Sequence, residues 1–280
     1  MTMPHPFDTA IALVADGEHQ FAGHTSTAYA NMVGPFGGAS AAVMLNAVLQ
    51  HPQLLGAPVS LTVNFCAGVA DGPFVVRAIP ARTNRSTQHW TIALMQTDAA
   101  GEEQTVLTGT AVTANRRNTY SVNDTPMPAM AVPEDVPTDV RAIPLPWVGR
   151  YEMRFAHGGM PQAWDGQAAG EGIDKASLTQ MWVRDAPPRP LDFCSLAAMS
   201  DIFFPRIFLR RATRVPIGTV SMTVYFHADA AMLAQVGTGY LMGQSRGQVF
   251  FNGFFDQTAQ MWSETGTLLA TTHQVVYYKE

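Results

Sequence analysis

The sequence predicts an α+β protein built from two tandem repeats, each an antiparallel sheet wrapped around one central helix. Three observations carry this expectation. The stretch Ser60-Leu61-Thr62-Val63-Asn64-Phe65-Cys66-Ala67 recurs in pattern as Ser221-Met222-Thr223-Val224-Tyr225-Phe226-His227-Ala228, 161 positions later. A nearly all-apolar helical run precedes the strands in each half. A proline-rich segment separates the halves.

That segment runs from about Asn118 to Pro146 and includes Pro126, Pro128, Pro133, Pro137, Pro144 and Pro146. Proline removes backbone donors and fixes φ, so it reads as a connector. The expected organisation is a first repeat over 1–117, a linker over 118–146 and a second repeat over 147–280. The offset of the two strand runs also pairs Arg85 with Arg246, Leu107 with Leu268 and Thr110 with Thr271.

In the first half, apolar or alternating stretches rich in β-branched and aromatic residues predict strands near 59–67, 73–82, 87–97 and 104–114. In the second half they fall near 219–228, 236–245, 247–258 and 266–278. Turn signals at Asp71-Gly72-Pro73, Ala100-Gly101 and Thr265-Gly266 separate them. The first helix is expected to open at Gly34-Pro35-Phe36-Gly37-Gly38 and run through Asn46. The second opens at Pro190-Leu191-Asp192 and runs through Asp201. Here Ser40 pairs with Ser195, Ala42 with Ala197 and Met44 with Met199. Both helices are apolar all round, which predicts burial inside a sheet. A helix gripped by an antiparallel sheet, twice over, is the double hot-dog architecture.

Composition narrows the function classes. With 47% hydrophobic and 14% charged residues, and 15 Met and 15 Phe, the chain can bury a large core. A net charge of −5 argues against a broad nucleic-acid surface. No apolar run approaches the ~20 residues that span a bilayer, and Met1 to Asp8 has no basic start followed by an apolar core. These features predict a soluble, cytoplasmic protein with no membrane or nucleic-acid partner. Cys66 and Cys194 fit no metal or CxxC spacing and are read as small buried thiols in a reducing compartment. No metal-ligand spacing and no nucleotide-binding glycine loop occurs, so no metal or cofactor is expected.

The order and spacing of several short pieces resemble the TesB-type double hot-dog acyl-CoA thioesterases, from about residue 8 to 278. The pieces are Phe36-Gly37-Gly38, Ser200-Asp201, Thr219 ahead of Phe226-His227, Ser245-Arg246-Gly247 and Thr272-His273-Gln274. The resemblance implies an acyl-CoA substrate and hydrolysis to free acid and CoA. It implies a water-activating set of Asp201, Thr219 and Gln274. It also implies association into a dimer or larger homo-oligomer.

Asp201 is the sharpest candidate on its own chemistry. It interrupts an apolar run, and a buried carboxylate is paired or functional. Thr219 and Gln274 each both donate and accept hydrogen bonds. Their counterparts in the first half are Pro58 and Thr113, and that of Asp201 is Asn46, so only the second half keeps the trio. Gly37 and Gly38 open the other helix, where free N–H groups favour negative charge and the absence of Cβ lets a ligand approach. One working site per chain is therefore expected, with oxyanion or substrate binding at Gly37 and Gly38.

Arg85, Ser245 and Arg246 are candidate CoA contacts. The pattern Gly243-Gln244-Ser245-Arg246-Gly247 is not read as a nucleophile elbow, because a strand and not a helix follows it. His227 is read as a satisfied histidine. Arg206, Arg210, Arg211 and Arg214 cluster after the second helix. Two other readings remain: a hot-dog hydratase or dehydratase, which favours an Asp/His pair, and an acyl or aromatic ligand-binding protein without turnover.

Overall fold

The computed structural model describes residues 3–138, 144–167 and 177–280. The first half comprises α1 (Pro6–Ala10), β1 (Val14–Ala15), β2 (Gln20–His24), α2 (Gly37–Leu49), β3 (Ala57–Phe65), β4 (Pro73–Thr83), β5 (Thr87–Thr97) and β6 (Glu103–Ala114). The second comprises β7 (Tyr151–His157), β8 (Thr179–Asp185), α3 (Phe193–Met199), α4 (Arg206–Arg210), β9 (Ile217–Phe226), α5 (Ala230–Val236), β10 (Leu241–Arg246), β11 (Phe250–Phe251), β12 (Phe254–Ser263) and β13 (Leu268–Tyr278).

All strands join one antiparallel sheet in the order β1-β2-β4-β5-β6-β3-β9-β13-β12-β10-β8-β7, with β11 on β12. The halves meet at β3 and β9. There Thr62 lies directly opposite Thr223, its own counterpart in the repeat, and the two hydroxyls are 3.0 Å apart. A residue facing its own copy is the mark of a two-fold relation, here within one chain. Helices α2 and α3 are buried along nearly their whole length, from Gly38 to Val48 and from Phe193 to Met199. They form one core with the inner sides of the strands. This is the double hot-dog fold.

The first-half strands agree with expectation to within two residues; the second half differs in three places. The strand expected at 236–245 is preceded by α5, whose cap Asp229 accepts from Met232 N–H at 2.8 Å. Gly237 ends it at φ 58°, so the strand begins only at Leu241. The strand expected over 247–258 is broken by a turn at Asn252-Gly253, both at positive φ, and the long strand is instead 254–263. The second helix stops at Met199: Ser200 still bonds to the Leu196 carbonyl through its N–H (3.0 Å) and its hydroxyl (2.8 Å), but Asp201 N–H turns to the Ala198 carbonyl, three residues back, at 3.1 Å. Pro205 then starts α4 and disfavours helical backbone at Phe204. Strands β1 and β2 at one end of the sheet, β8 and β7 at the other, and helices α1 and α4 were not foreseen.

Residues 125–136 of the proline-rich segment form a strap across the outer face of the second half. The indoles of Trp262 and Trp182 donate to the carbonyls of Thr125 (3.1 Å) and Ala131 (2.8 Å). Arg154 Nη1 donates to Pro133 and Val136 (3.0 and 3.1 Å). Val136, Trp182, Tyr240, Met242 and Trp262 form a second apolar cluster beneath it. Arg154→Ala strips two strap carbonyls of their donor. The expected result is about 1–3 kcal/mol lower stability in chemical denaturation and faster proteolysis between 120 and 137.

Both cysteines are free. Cys194 is buried as expected; Cys66, at a strand end, is exposed. Among the described residues no helix is long and apolar enough to cross a membrane, and no group of three or more His, Cys, Asp or Glu is arranged to hold a metal ion.

Candidate active site

The amino end of α2 meets the carboxyl end of α3 in the centre of the molecule. Phe36 precedes α2 and offers no side-chain acceptor to its first amides. Glycine is required here for space. A Cβ on Gly38 would collide with the Ala198 carbonyl oxygen, and one on Gly37 would lie 2.7 Å from Asp201 Oδ2. Asp201 lies just past α3 and not within it, in the turn where its N–H donates to the Ala198 carbonyl at 3.1 Å. The short helix thus hands a carboxylate to the bare end of the other repeat's helix.

Gln274, on the inner side of β13 and 2% exposed, donates its side-chain N–H to Asp201 Oδ1 at 2.8 Å. The same amide nitrogen lies 3.5 Å from Met222 Sδ on β9. Asp201 keeps part of its own surface open, but protein encloses its carboxyl group. Burial pushes its pKa from the ordinary 3.8 up to about 7, and the hydrogen bonds from Gln274 and the Gly38 N–H only partly offset this.

Thr219 reaches the inner side of the sheet through a bulge. Val275 pairs with Ser221 but Val276 pairs with Thr219, so Val220 is the extra residue. Thr219 therefore stands one inward step from Gln274, about 7 Å along the strand direction, and is hydrogen-bonded to neither Gln274 nor Asp201. The aromatic wall beside Gly37 includes Phe36 stacked on Trp147 at 4.3 Å and 6°.

The reciprocal corner is closed. Asn46 spends its amide on the Ile11 carbonyl at 2.7 Å. Asp192 caps α3 through Ser195 N–H at 2.8 Å and pairs with Arg189 at 2.6 Å. No equivalent of the Asp201 arrangement exists there.

Three candidate CoA contacts lie outside the cluster. Ser245 is 1% exposed and points into the second-half core, where a surface-bound CoA cannot reach it. Arg246 ends β10 on the outer side of the sheet, and Arg85 is exposed in the β4–β5 turn. Gly243–Gly247 leads from one strand toward the next with no helix, as expected. His227 Nε2 lies 3.0 Å from Thr271 Oγ1, and burial lowers its pKa. Arg206 is not a surface cation: it is fully buried and bound to the oxygens of Phe204, Ser177, Thr179 and Gln257. Burial lowers its pKa to about 9.

A second buried carboxylate escaped the sequence reading. Asp185, at the end of β8, accepts from Ser195 Oγ at 2.6 Å, and burial raises its pKa to about 6. Its cross-strand neighbour is Tyr151, whose ring lies edge-on to Tyr29 at 6.2 Å. Asp185 and Tyr151 fall in β8 and β7, for which the sequence offered no counterpart in the first half.

Comparison with known proteins places the fold in a family. Residues 26–114 match the model of the acyl-CoA thioesterase N-terminal domain, and 124–278 that of the acyl-CoA thioesterase C-terminal domain. No curated protein matches the chain. A hot-dog protein of unknown function from Alicyclobacillus acidocaldarius is 46% identical with a TM-score of 0.90, covering 99% of both chains. The tesB protein of Mycobacterium avium subs paratuberculosis (17% identity, TM-score 0.75) and the acyl-CoA thioesterase II TesB2 of Mycobacterium marinum (18%, 0.75) share the fold over 98% of each chain. Two family domains in their family order, laid over one double hot-dog, show that this chain belongs to the acyl-CoA thioesterase family.

Proposed function

We propose that the protein hydrolyses acyl-CoA thioesters with a water activated by Asp201. The observation that carries this reading is a carboxylate with a pKa near 7 held against the uncapped start of the opposing helix. A general base works best when its pKa lies near the operating pH, and burial supplies that match. Water attacks the thioester carbonyl carbon while Asp201 takes its proton. The developing oxyanion accepts from the Gly37 amide at the uncapped start of α2, while the Gly38 N–H stays on the Asp201 carboxylate. Collapse of the intermediate breaks the C–S bond and releases CoA and the free acid. Gln274 holds the carboxylate in position and in its ionised form; Thr219 offers the water a further hydrogen bond. The closed corner at Asn46 and Asp192 supports one working site per chain.

The test is thiol release from purified protein given short, long, branched and aromatic acyl-CoAs. Turnover of at least one class is expected, and no hydrolysis of any by folded protein overturns the reading. A second measurement probes the base. The activity limb rises with pH, because Asp201 must be ionised to accept a proton. Gln274→Ala removes a donor that favours the ionised form, so the midpoint of kcat/KM against pH moves upward. An unmoved midpoint separates Gln274 from the base.

A further inference from the structure

Arg206 is a buried cation that no step of the mechanism above uses. It is 0% exposed, and among the described residues its hydrogen-bond partners are all neutral oxygens. A charge taken out of water without a counter-ion is costly, so what it holds in exchange matters. Its donors reach three segments. Nε and Nη2 both donate to the Phe204 carbonyl, Nε at 2.9 Å. Nη1 donates to the Ser177 carbonyl (3.1 Å) and to Thr179 Oγ1 (2.6 Å), at the start of β8. Nε also reaches Gln257 Oε1 on β12 at 3.1 Å.

Two of these partners adjoin the Asp201 pair. Phe204 lies just beyond Asp201 in the loop that leads to α4, and its carbonyl is tied to the first residue of that helix. Gln257 is the direct cross-strand partner of Gln274, and both are 2% exposed on the inner side of the sheet. Directly paired residues place their Cβ atoms about 5 Å apart, so the two side chains are neighbours. Gln274 in turn donates to Asp201 Oδ1 at 2.8 Å. Arg206 therefore grips both the chain that carries the carboxylate and the side chain beside the amide that holds it.

We propose that Arg206 is a positioning residue for the site: it fixes the turn that carries Asp201 and, through Gln257, the Gln274 amide that meets its carboxylate. The inference rests on the Asp201 reading above. Arginine suits the task because its planar guanidinium offers five N–H groups in fixed directions and can hold three segments at once. A lysine ammonium cannot match that fork. The Arg206 charge is not what tunes Asp201, whose pKa responds to burial, Gln274 and the Gly38 N–H. Tyr151 feels the Asp201 charge, but burial keeps its hydroxyl protonated where Asp201 titrates.

The test follows the Asp201 carboxyl by carbon NMR as pH is varied, its signal assigned by its absence in Asp201→Asn. Arg206→Met removes the whole clamp; Gln257→Leu removes only its arm on β12 and changes no charge. In both, a loosened Gln274 bond favours the ionised carboxylate less, so the Asp201 midpoint should rise by about half a unit or more. In a Gln274→Ala background neither substitution should move it further. In Arg206→Met, kcat for thioester hydrolysis should fall about tenfold to a hundredfold with KM little changed, the mark of a misplaced base. An unmoved midpoint in folded Gln257→Leu overturns the clamp. So does a shift in either variant that persists undiminished in the Gln274→Ala background, since it does not pass through Gln274. If Arg206→Met does not fold, Gln257→Leu decides alone, with and without Gln274→Ala. Hydrolysis of no thioester by the wild type overturns the hydrolase reading, while the NMR midpoints still decide the clamp.

Discussion

Asp201→Asn should lower kcat for acyl-CoA hydrolysis by about 10²–10⁴-fold, the range that a positioned general base contributes. Asparagine matches the carboxylate in shape and keeps an oxygen to accept from Gln274, but it takes no proton from water. The fold should persist, and stability supplies an independent readout. The folded-state pKa of Asp201 is raised, from 3.8 to about 7, by burial. Below about pH 4 both folded and unfolded chains hold the proton, and the group is neutral in its effect. As pH climbs toward 7 the unfolded chain ionises first, and the folded state loses stability. Above 7 the penalty is constant. Asp201→Asn removes that penalty, so the variant should be more stable than the wild type at pH 8 and nearly equal to it at pH 4. Thermal melts at the two pH values, beside a thiol-release assay, check both halves. Undiminished turnover, or equal stability at pH 8, would sink the assignment of Asp201 as a buried base.

The second large effect is expected at Gly38. Its Cβ would strike the backbone oxygen of Ala198, and backbone does not swing aside as a side chain does. Gly38→Ala therefore forces the two central helices apart in a close-packed core, at a cost of about 1–3 kcal/mol. It also retracts the α2 amides from Asp201, so activity falls with stability. Gly37→Ala is the contrasting case. There the obstacle is Asp201 Oδ2 at 2.7 Å, the mobile end of a side chain. Activity should fall sharply while the denaturation midpoint moves little. Equal stability losses in the two variants would contradict the packing described for this corner.

Much of this corner was readable before any coordinates. The carboxylate of Asp201 stood out because it interrupts an apolar run and the glycine pair because it opens the other helix, whereas Gln274 and Thr219 entered only through the family resemblance. Other features were not readable. Thr219 turns inward only through the extra residue Val220, and a bulge has no reliable signature in an alternating run. The helix end at Met199 comes with a tightened last turn, in which Asp201 N–H reaches back three residues to the Ala198 carbonyl, and no residue in this apolar run announces it. α5 was legible in principle through Asp229 and Gly237, but its apolar residues were taken into a strand pattern. The Asp185 cluster draws Tyr29, Tyr151 and Ser195 from three distant segments, and no spacing in the chain announces their meeting.

Alone, the sequence determined the duplicated helix-and-sheet architecture and its asymmetry. Hydrophobic period and internal offset are local properties, and they are written residue by residue. Only the tertiary structure decided which helix end faces which carboxylate and how far burial raises the Asp201 pKa. Those depend on solvent exclusion and on distances between segments far apart in the chain, and neither exists until the two repeats close on each other.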